Sequence, residues 1–362
     1  MKKLFTILTA TLLTVMLAFG LVACSPTTTP PPEGGGECQH TYEATAWFDS
    51  AHHYASKLVC SQCSDEVTRT RIEITNAQEL RYLAQDLNEG IKPAGRSTFF
   101  FMNDIDLSGS AWTPINIYNE DGDAYTFKSG IDGTNINVSG ITITSGENVG
   151  FFGKVESSIT VDKINIVGAN VAGQNASALI GAIDCSQVQS VVKQTIDVKN
   201  CSVSNCTIAG TVSAGAIYGS ATGDNGGDTS YATSITIQHC SFSNNAISSN
   251  GGYAGGVAGI MSDYSGEVIK GVLVKISDST FSNCTVTSTL ENGAGKVIGI
   301  VGYSNGDVCS ETTGSSYDNV VATGNGTVVM ARPYGRTGWV DSVGSTFTYG
   351  NMFTETWSNG TH

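Results

Sequence analysis

Ile235-Thr236-Ile237-Gln238-His239-Cys240-Ser241-Phe242-Ser243-Asn244-Asn245-Ala246-Ile247 carries the pattern that decides the fold. Segments starting at Ile159, Ile196 and Val274 align with it without gaps, so consecutive starts lie 37, 39 and 39 residues apart. Ile159, Val161, Ile164, Ile166 and Val171 answer Ile235, Ile237, Cys240, Phe242 and Ile247. This is period-two alternation broken by one extra residue, which predicts two short strands joined at a bend. A glycine-rich apolar stretch follows each segment: Ala178-Leu179-Ile180-Gly181, Gly215-Ala216-Ile217-Tyr218-Gly219, Gly255-Gly256-Val257-Ala258-Gly259 and Gly295-Lys296-Val297-Ile298-Gly299. Gly150-Phe151-Phe152-Gly153 is an earlier copy. A repeat of this length, with three strand-like pieces and no helix, predicts an all-β solenoid whose coils stack to share one core.

These glycine-rich stretches resemble the G-G-[ILV]-x-G repeats of the GLUG type, found in right-handed parallel β-helix (pectin-lyase-like) proteins of bacterial surfaces. The resemblance runs from Ile72 to Val321. Its front end fits: residues 77–88 read as a helix with Asn76 and Glu79 as a capping box, and Asp104-Ile105-Asp106-Leu107-Ser108 with Trp112-Thr113-Pro114-Ile115 matches that family's first coil. The helix is expected to cover the open end of the solenoid, whose bare edge would template aggregation. Stacking predicts an internal ladder of Asn205, Asn244 and Asn283, each amide bonding the next about 4.8 Å away. Cys201 with Cys240, and Cys206 with Cys284, read as small buried fillers. A Cys201 to Cys240 disulfide is within Cα reach but geometrically awkward. Neither reading makes a nucleophile, because His239 alternates to the face opposite Cys240.

Residues 1–23 read as an export signal, with Lys2 and Lys3 before an uncharged run. Leu21-Val22-Ala23-Cys24 resembles the lipobox of bacterial lipoproteins, which implies acylation of Cys24 and a membrane partner through the lipid. The sequence thus places the chain outside the cytoplasm, anchored at the bacterial surface. Residues 24–37, with Pro30-Pro31-Pro32 and Gly34-Gly35-Gly36, read as a tether. The 362 residues carry 18 Lys and Arg against 32 Asp and Glu, a net charge of −14. With no basic cluster beyond the signal, nucleic acid is excluded as a partner. A monomer is expected.

Residues 38–71 form a separate candidate module. Cys38-Gln39-His40 and Cys60-Ser61-Gln62-Cys63 are two chelating pairs, the arrangement a tetrahedral structural zinc site needs. The segment resembles small zinc-ribbon-like modules of Gram-positive surface proteins. Cys38, His40, Cys60 and Cys63 are the candidate ligands, with His53 as the alternate. A disulfide from Cys38 to Cys60 or Cys63 is the competing reading outside the cytoplasm.

The sequence offers no catalytic constellation. Polysaccharide lyases and glycosidases of this fold need a calcium-binding carboxylate cluster with a basic residue, or paired carboxylates. Here the strands carry only scattered acids, and Arg is absent between Arg96 and Arg332. Asn119-Glu120-Asp121-Gly122-Asp123 is the best candidate for calcium, though a solvated turn explains it as well. Segments 220–233, 262–271 and 304–316 recur after the glycine-rich strands and should emerge along one edge. Tyr231, Tyr264, Tyr303 and Tyr317 lie at or near their bases, where aromatic faces beside amides suit carbohydrate or a host or cell-surface protein. Residues 72–326 are assigned to the β-helix and 327–362 to a C-terminal cap. The expected function is an adhesin-like scaffold, against the alternatives of a polysaccharide-active enzyme or a purely structural envelope protein.

Overall fold

The structure is a computed structural model. It describes residues 57–60, 62–63, 65–68, 71–91, 96–118, 124–184, 194–222, 233–262, 272–289, 297–298, 301–304, 309–313, 316–318, 321–324 and 346–348. All of them belong to one compact unit, His40–His362.

The chain forms a right-handed parallel β-helix. The coil at Gln194–Lys199, Ser202–Ser204, Thr207–Gly215 and Tyr218–Thr222 shows the plan: four strands, one on each of four parallel sheets. We call these the first to fourth sheets in the order the chain visits them. The coil therefore has one strand more than the sequence pattern suggests. Val171 and its equivalents open a third strand, and the glycine-rich stretch makes the corner into the fourth.

The register matches the sequence alignment residue for residue. Ile159 faces Ile196, Ile196 faces Ile235 and Ile235 faces Val274 on the first sheet. On the second sheet Ile166, Val203, Phe242 and Phe281 form one buried column. The rings of Phe242 and Phe281 stack with centroids 4.5 Å apart. Ile143, Val171, Ile208, Ile247 and Val286 do the same on the third sheet. Identical inward positions thus bury β-branched and aromatic side chains against one another, the packing a pleated surface favours.

Strand Arg71–Ile74 pairs in parallel with Thr98–Phe101, and the helix Ala77–Asn88 connects them. Asn76 Oδ1 accepts from the backbone N–H groups of Gln78 and Glu79, both at 3.0 Å. The return bond of the expected capping box shifts by one residue: Glu79 Oε2 accepts from the N–H of Thr75 at 2.6 Å. Leu80, Leu83, Ala84 and Leu87 join the same apolar core as the coils. Arg81 fastens the helix to the following loop by donating to the carbonyls of Leu107, Ser110 and Ala111. Asp104 of the expected first-coil motif accepts from the N–H and the side-chain amide of Asn137, holding the start of the second sheet.

Glycine in the fourth-sheet strands has a packing cause. A Cβ on Gly181 would lie 2.3 Å from Val149 N, and one on Gly259 would lie 2.5 Å from Ala214 N. Third- and fourth-sheet backbones meet there with no room for a side chain.

Candidate functional site

The corner from the fourth sheet back to the first is where the coils differ most in length. Fourth-sheet strands end at Ile117, Val155, Asp184, Thr222, Ser262 and Ser304, and the next first-sheet strands begin at Ala124, Ser158, Gln194, Thr233, Val272 and Cys309. Neighbouring strands pair in register on both sheets, so the points where the chain leaves the fourth sheet and enters the first form one row. The segments drawn from the sequence are wider than the gaps between these strands. Ser220–Thr222 still belongs to a strand, and Cys309–Thr313 is a first-sheet strand paired with Val272–Ser277.

The described feet of the row are polar. Lys154 Nζ lies 2.6 Å from Glu156 Oε1 and 2.9 Å from Asp184 Oδ2, an ion triad spanning two coils. Partial burial disfavours the ammonium, but the hydrogen bonds and charges of the two carboxylates outweigh it and hold the lysine pKa above its ordinary value. Beneath the row, Ser157, Gln194 and Thr233 are buried at inward positions. Ser158 Oγ donates to Gln194 Oε1 at 3.0 Å and accepts from the N–H of Thr195. Thr233 Oγ1 is buried with no hydrogen-bond partner among the described residues. None of these residues stands out in the sequence, because the triad joins outward positions of different coils.

Tyr231, Tyr264 and the acidic stretch 119–123 lie outside the described residues. Tyr303 falls on the fourth sheet, facing Ile260 in the column of Ser220 and Ala182. Tyr317 falls on the second sheet, facing Phe281, whose column is buried through Phe242 and Val203. The two tyrosines therefore do not share a row, and Tyr317 has the register of a core position.

Asn205, Asn244 and Asn283 share one position, as expected, but they are exposed, which corrects the internal ladder. Each has a positive φ, 57°, 56° and 51°, at the turn between second and third sheets. Asparagine is there because it tolerates the left-handed conformation. The coil-to-coil bonds are made by the main chain, with Asn205 N–H donating to Ser243 O and Asn244 N–H to Ser282 O, both at 3.0 Å. The internal polar position is the next residue, occupied by Cys206, Asn245 and Cys284. Asn245 Oδ1 accepts from Cys206 N–H at 3.0 Å, and its Nδ2 donates to Val203 O at 2.8 Å.

The cysteines fill the inside of the turns. Cys201, Cys240 and Ser279 are buried at one position, and each donates to the carbonyl two residues earlier. Burial pushes the Cys201 thiol well above its usual range, and burial raises Cys206 to about 11. These two are poor nucleophiles at neutral pH, whereas hydrogen bonding with Cys201 pulls the Cys240 thiol below its usual range. Cys185 and its surroundings lie outside the described residues, as does the side chain of Cys309.

Of the zinc candidates, Cys60 and Cys63 are described, and Cys38, His40 and His53 lie outside the described residues, as does Cys24. Lys57–Val59 and Glu66–Thr68 form an antiparallel hairpin with Cys60 and Cys63 in its turn, closed by Cys60 N–H donating to Asp65 O at 2.8 Å. Cys60 is buried and Cys63 exposed. Two thiols in one tight hairpin turn supply half of a tetrahedral donor set. Among the described residues no three His, Cys, Asp or Glu side chains gather closely enough to hold a metal.

The fold and corner define a parallel β-solenoid with a row of variable connections. No family model matches the chain, and no curated protein matches it. A solved structure described as a "putative immunoglobulin A1 protease" from Bacteroides ovatus is similar at 20% identity, with 76% of this chain and 84% of that chain covered and a TM-score of 0.49.

Proposed function

We propose that this chain is a lipid-anchored bacterial surface protein whose β-helix presents a row of connections to an extracellular ligand, with carbohydrate as the ligand class. The single observation that carries the reading is the shared corner: six successive coils leave the fourth sheet and re-enter the first there, with their flanking strands paired in register. Tyr231 and Tyr264 belong to the segments that start and end at this corner, and Tyr303 lies just before another. Aromatic faces repeated along one edge, with amides and hydroxyls beside them, suit a chain of sugar rings. The lipobox-like Cys24 supports anchoring, and the hairpin with Cys60 and Cys63 supports a structural zinc site completed by Cys38 and His40, or His53. That ion would hold a small module together rather than act on a substrate.

The test is retention of residues 25–362 on an array of plant, microbial and mucin glycans with Ca²⁺ present. Retention on one glycan class, lost when Tyr231 and Tyr264 are both replaced by Ala, supports the proposal. Absence of retention on every glycan refutes the carbohydrate reading and leaves adhesion to protein.

A further inference from the structure

The third of the aligned coils, which starts at Ile235, carries one extra residue on the third sheet relative to the coil before it. On the third sheet Gly210 faces Ser249, 39 residues on, whereas Ser213 faces Tyr253, 40 residues on. The extra residue lies in the exposed turn between Ala246–Ser249 and Tyr253–Gly255, which contains Asn250-Gly251. Gly251 has φ +84°, and nothing lies within 4 Å of where its Cβ would be. Glycine at this position leaves its backbone nitrogen unshielded beside the asparagine amide.

The neighbouring coil places one hydroxyl on both groups. Thr289 Oγ1 accepts from Gly251 N–H at 3.3 Å and donates to Asn250 Oδ1 at 2.8 Å. The turn is also held in place: Asn250 N–H donates to Gly210 O at 2.9 Å, and Ser288 Oγ donates to Gly252 O at 2.7 Å. A nucleophile, an electrophile and a bridging proton carrier are thus fixed together, which lowers the entropic part of a barrier.

We propose that Asn250-Gly251 is a built site of self-modification, in which the Gly251 nitrogen closes on the Asn250 side chain and Thr289 relays the proton. The Gly251 nitrogen bonds to Asn250 Cγ as its proton passes to Thr289 Oγ1, and the threonine proton moves to Oδ1, where negative charge develops. The tetrahedral carbon then expels the side-chain nitrogen as ammonia, which takes the proton back from Oδ1. Water opens the resulting cyclic imide to aspartate or isoaspartate, so one water is consumed and one ammonia released. The product places a carboxylate in a coil whose outward residues on the second and third sheets, Ser241, Ser243, Asn244, Ala246 and Ser248, are uncharged. The isoaspartate route also adds a carbon to the main chain at a turn where the coil register already slips.

The experiment ages the full chain at mildly alkaline pH and follows each Asn-Gly pair by peptide mass mapping and isoaspartate methylation. Asn225, Asn292, Asn305, Asn325 and Asn359 also precede glycine and serve as internal clocks. Thr289→Val is expected to slow conversion at Asn250 roughly tenfold, short of the ~100-fold of a positioned side chain in an enzyme. The other sites should keep their rates, and Thr289→Ser should restore the rate at Asn250. A purely structural threonine predicts the opposite, because loosening the turn would leave Asn250 as fast or faster. An unchanged or faster rate in Thr289→Val, failure of Thr289→Ser to restore it, or an intact Asn250 in the aged wild type overturns the proposal.

Discussion

Gly181→Ala tests the packing of the solenoid most directly. The new Cβ would lie 2.3 Å from Val149 N, 2.5 Å from Asn148 C and 2.9 Å from Gly153 O. All three are main-chain atoms. Asn148 and Val149 are paired to Asn175 and Ala176, and Phe152 is paired to Ile180. Relief therefore requires the third and fourth sheets to part by roughly 1 Å over at least two coils, since ordinary contact begins near 3.5 Å. Overpacking of a filled interior costs about 1–3 kcal/mol, occasionally more, and an obstacle made wholly of paired backbone belongs at about 3 kcal/mol or above. For a chain of 362 residues that lowers Tm by about 4 °C. Two controls separate the causes. Gly109 has nothing within 4 Å of its Cβ position, so Gly109→Ala should change stability by less than about 0.5 kcal/mol. Gly168 has the same free space but φ +65°, so Gly168→Ala isolates backbone strain at about 1 kcal/mol. Urea unfolding followed by circular dichroism, together with thermal scans, reads all three. If Gly181→Ala unfolds within about 0.5 kcal/mol of wild type, or matches Gly168→Ala, backbone exclusion is not what requires glycine in these strands.

Three further outcomes follow from the turns and the hairpin. Burial raises the Cys206 thiol to about 11, so the folded state resists losing that proton while the unfolded chain gives it up near 9. The stabilisation is complete below pH 9 and is lost as pH rises towards about 11; Cys206→Ser should flatten this part of a stability-against-pH curve, and an unaltered slope would contradict it. His239 holds φ 53° at an exposed turn position, so His239→Gly should raise stability by about 0.5–1 kcal/mol in urea melts, and a loss would show that its side chain contributes. Purified residues 25–362 should carry one zinc per chain by mass spectrometry under native conditions, lost in Cys63→Ser, whereas a disulfide shift under reduction with no metal would favour the competing pairing.

The register of the coils was legible because the same apolar offsets recur in four consecutive segments, and parallel stacking turns sequence period directly into contact. The capping asparagine of the helix was legible for a similar reason, being a local signal. The inside of the turns was less so. Asn244 and Asn245 are adjacent and chemically identical, yet one is exposed with φ 56° and the other buried and bonded twice to the preceding coil. Only the neighbouring column members distinguish them: Cys206 and Cys284 mark the inward position, and Asn205 and Asn283 the left-handed one. The Lys154, Glu156 and Asp184 triad left no trace in the pattern, since it depends on which outward positions of the fourth sheet come to face each other. Tyr317 is placed by register alone. Its place near the end of a loop in the chain suggested the outside, but counting in register from Phe242 puts it in a core column.

The three other corners explain why the largest differences in length collect at one edge. Between the second and third sheets the four described turns from Ser158 onward use two residues each, 168–169, 205–206, 244–245 and 283–284, the first at positive φ and the second buried. The corner between first and second sheets is similarly short, with Lys163, Asn200, His239 and Asp278 at positive φ. An added residue at either would turn a core side chain outward and misalign the strands above and below. Between the third and fourth sheets the glycine contacts leave no room for a longer path. The remaining corner runs from the two residues 156–157 to the ten residues 223–232, while the strands that flank it keep their pairing, Thr222 with Ser262 and Gln194 with Thr233. Length changes there need only loop-closure entropy, which grows slowly with length. A solenoid built this way can alter what it contacts through its connections without altering its core, and the same edge is where a ligand would meet side chains from several coils at once.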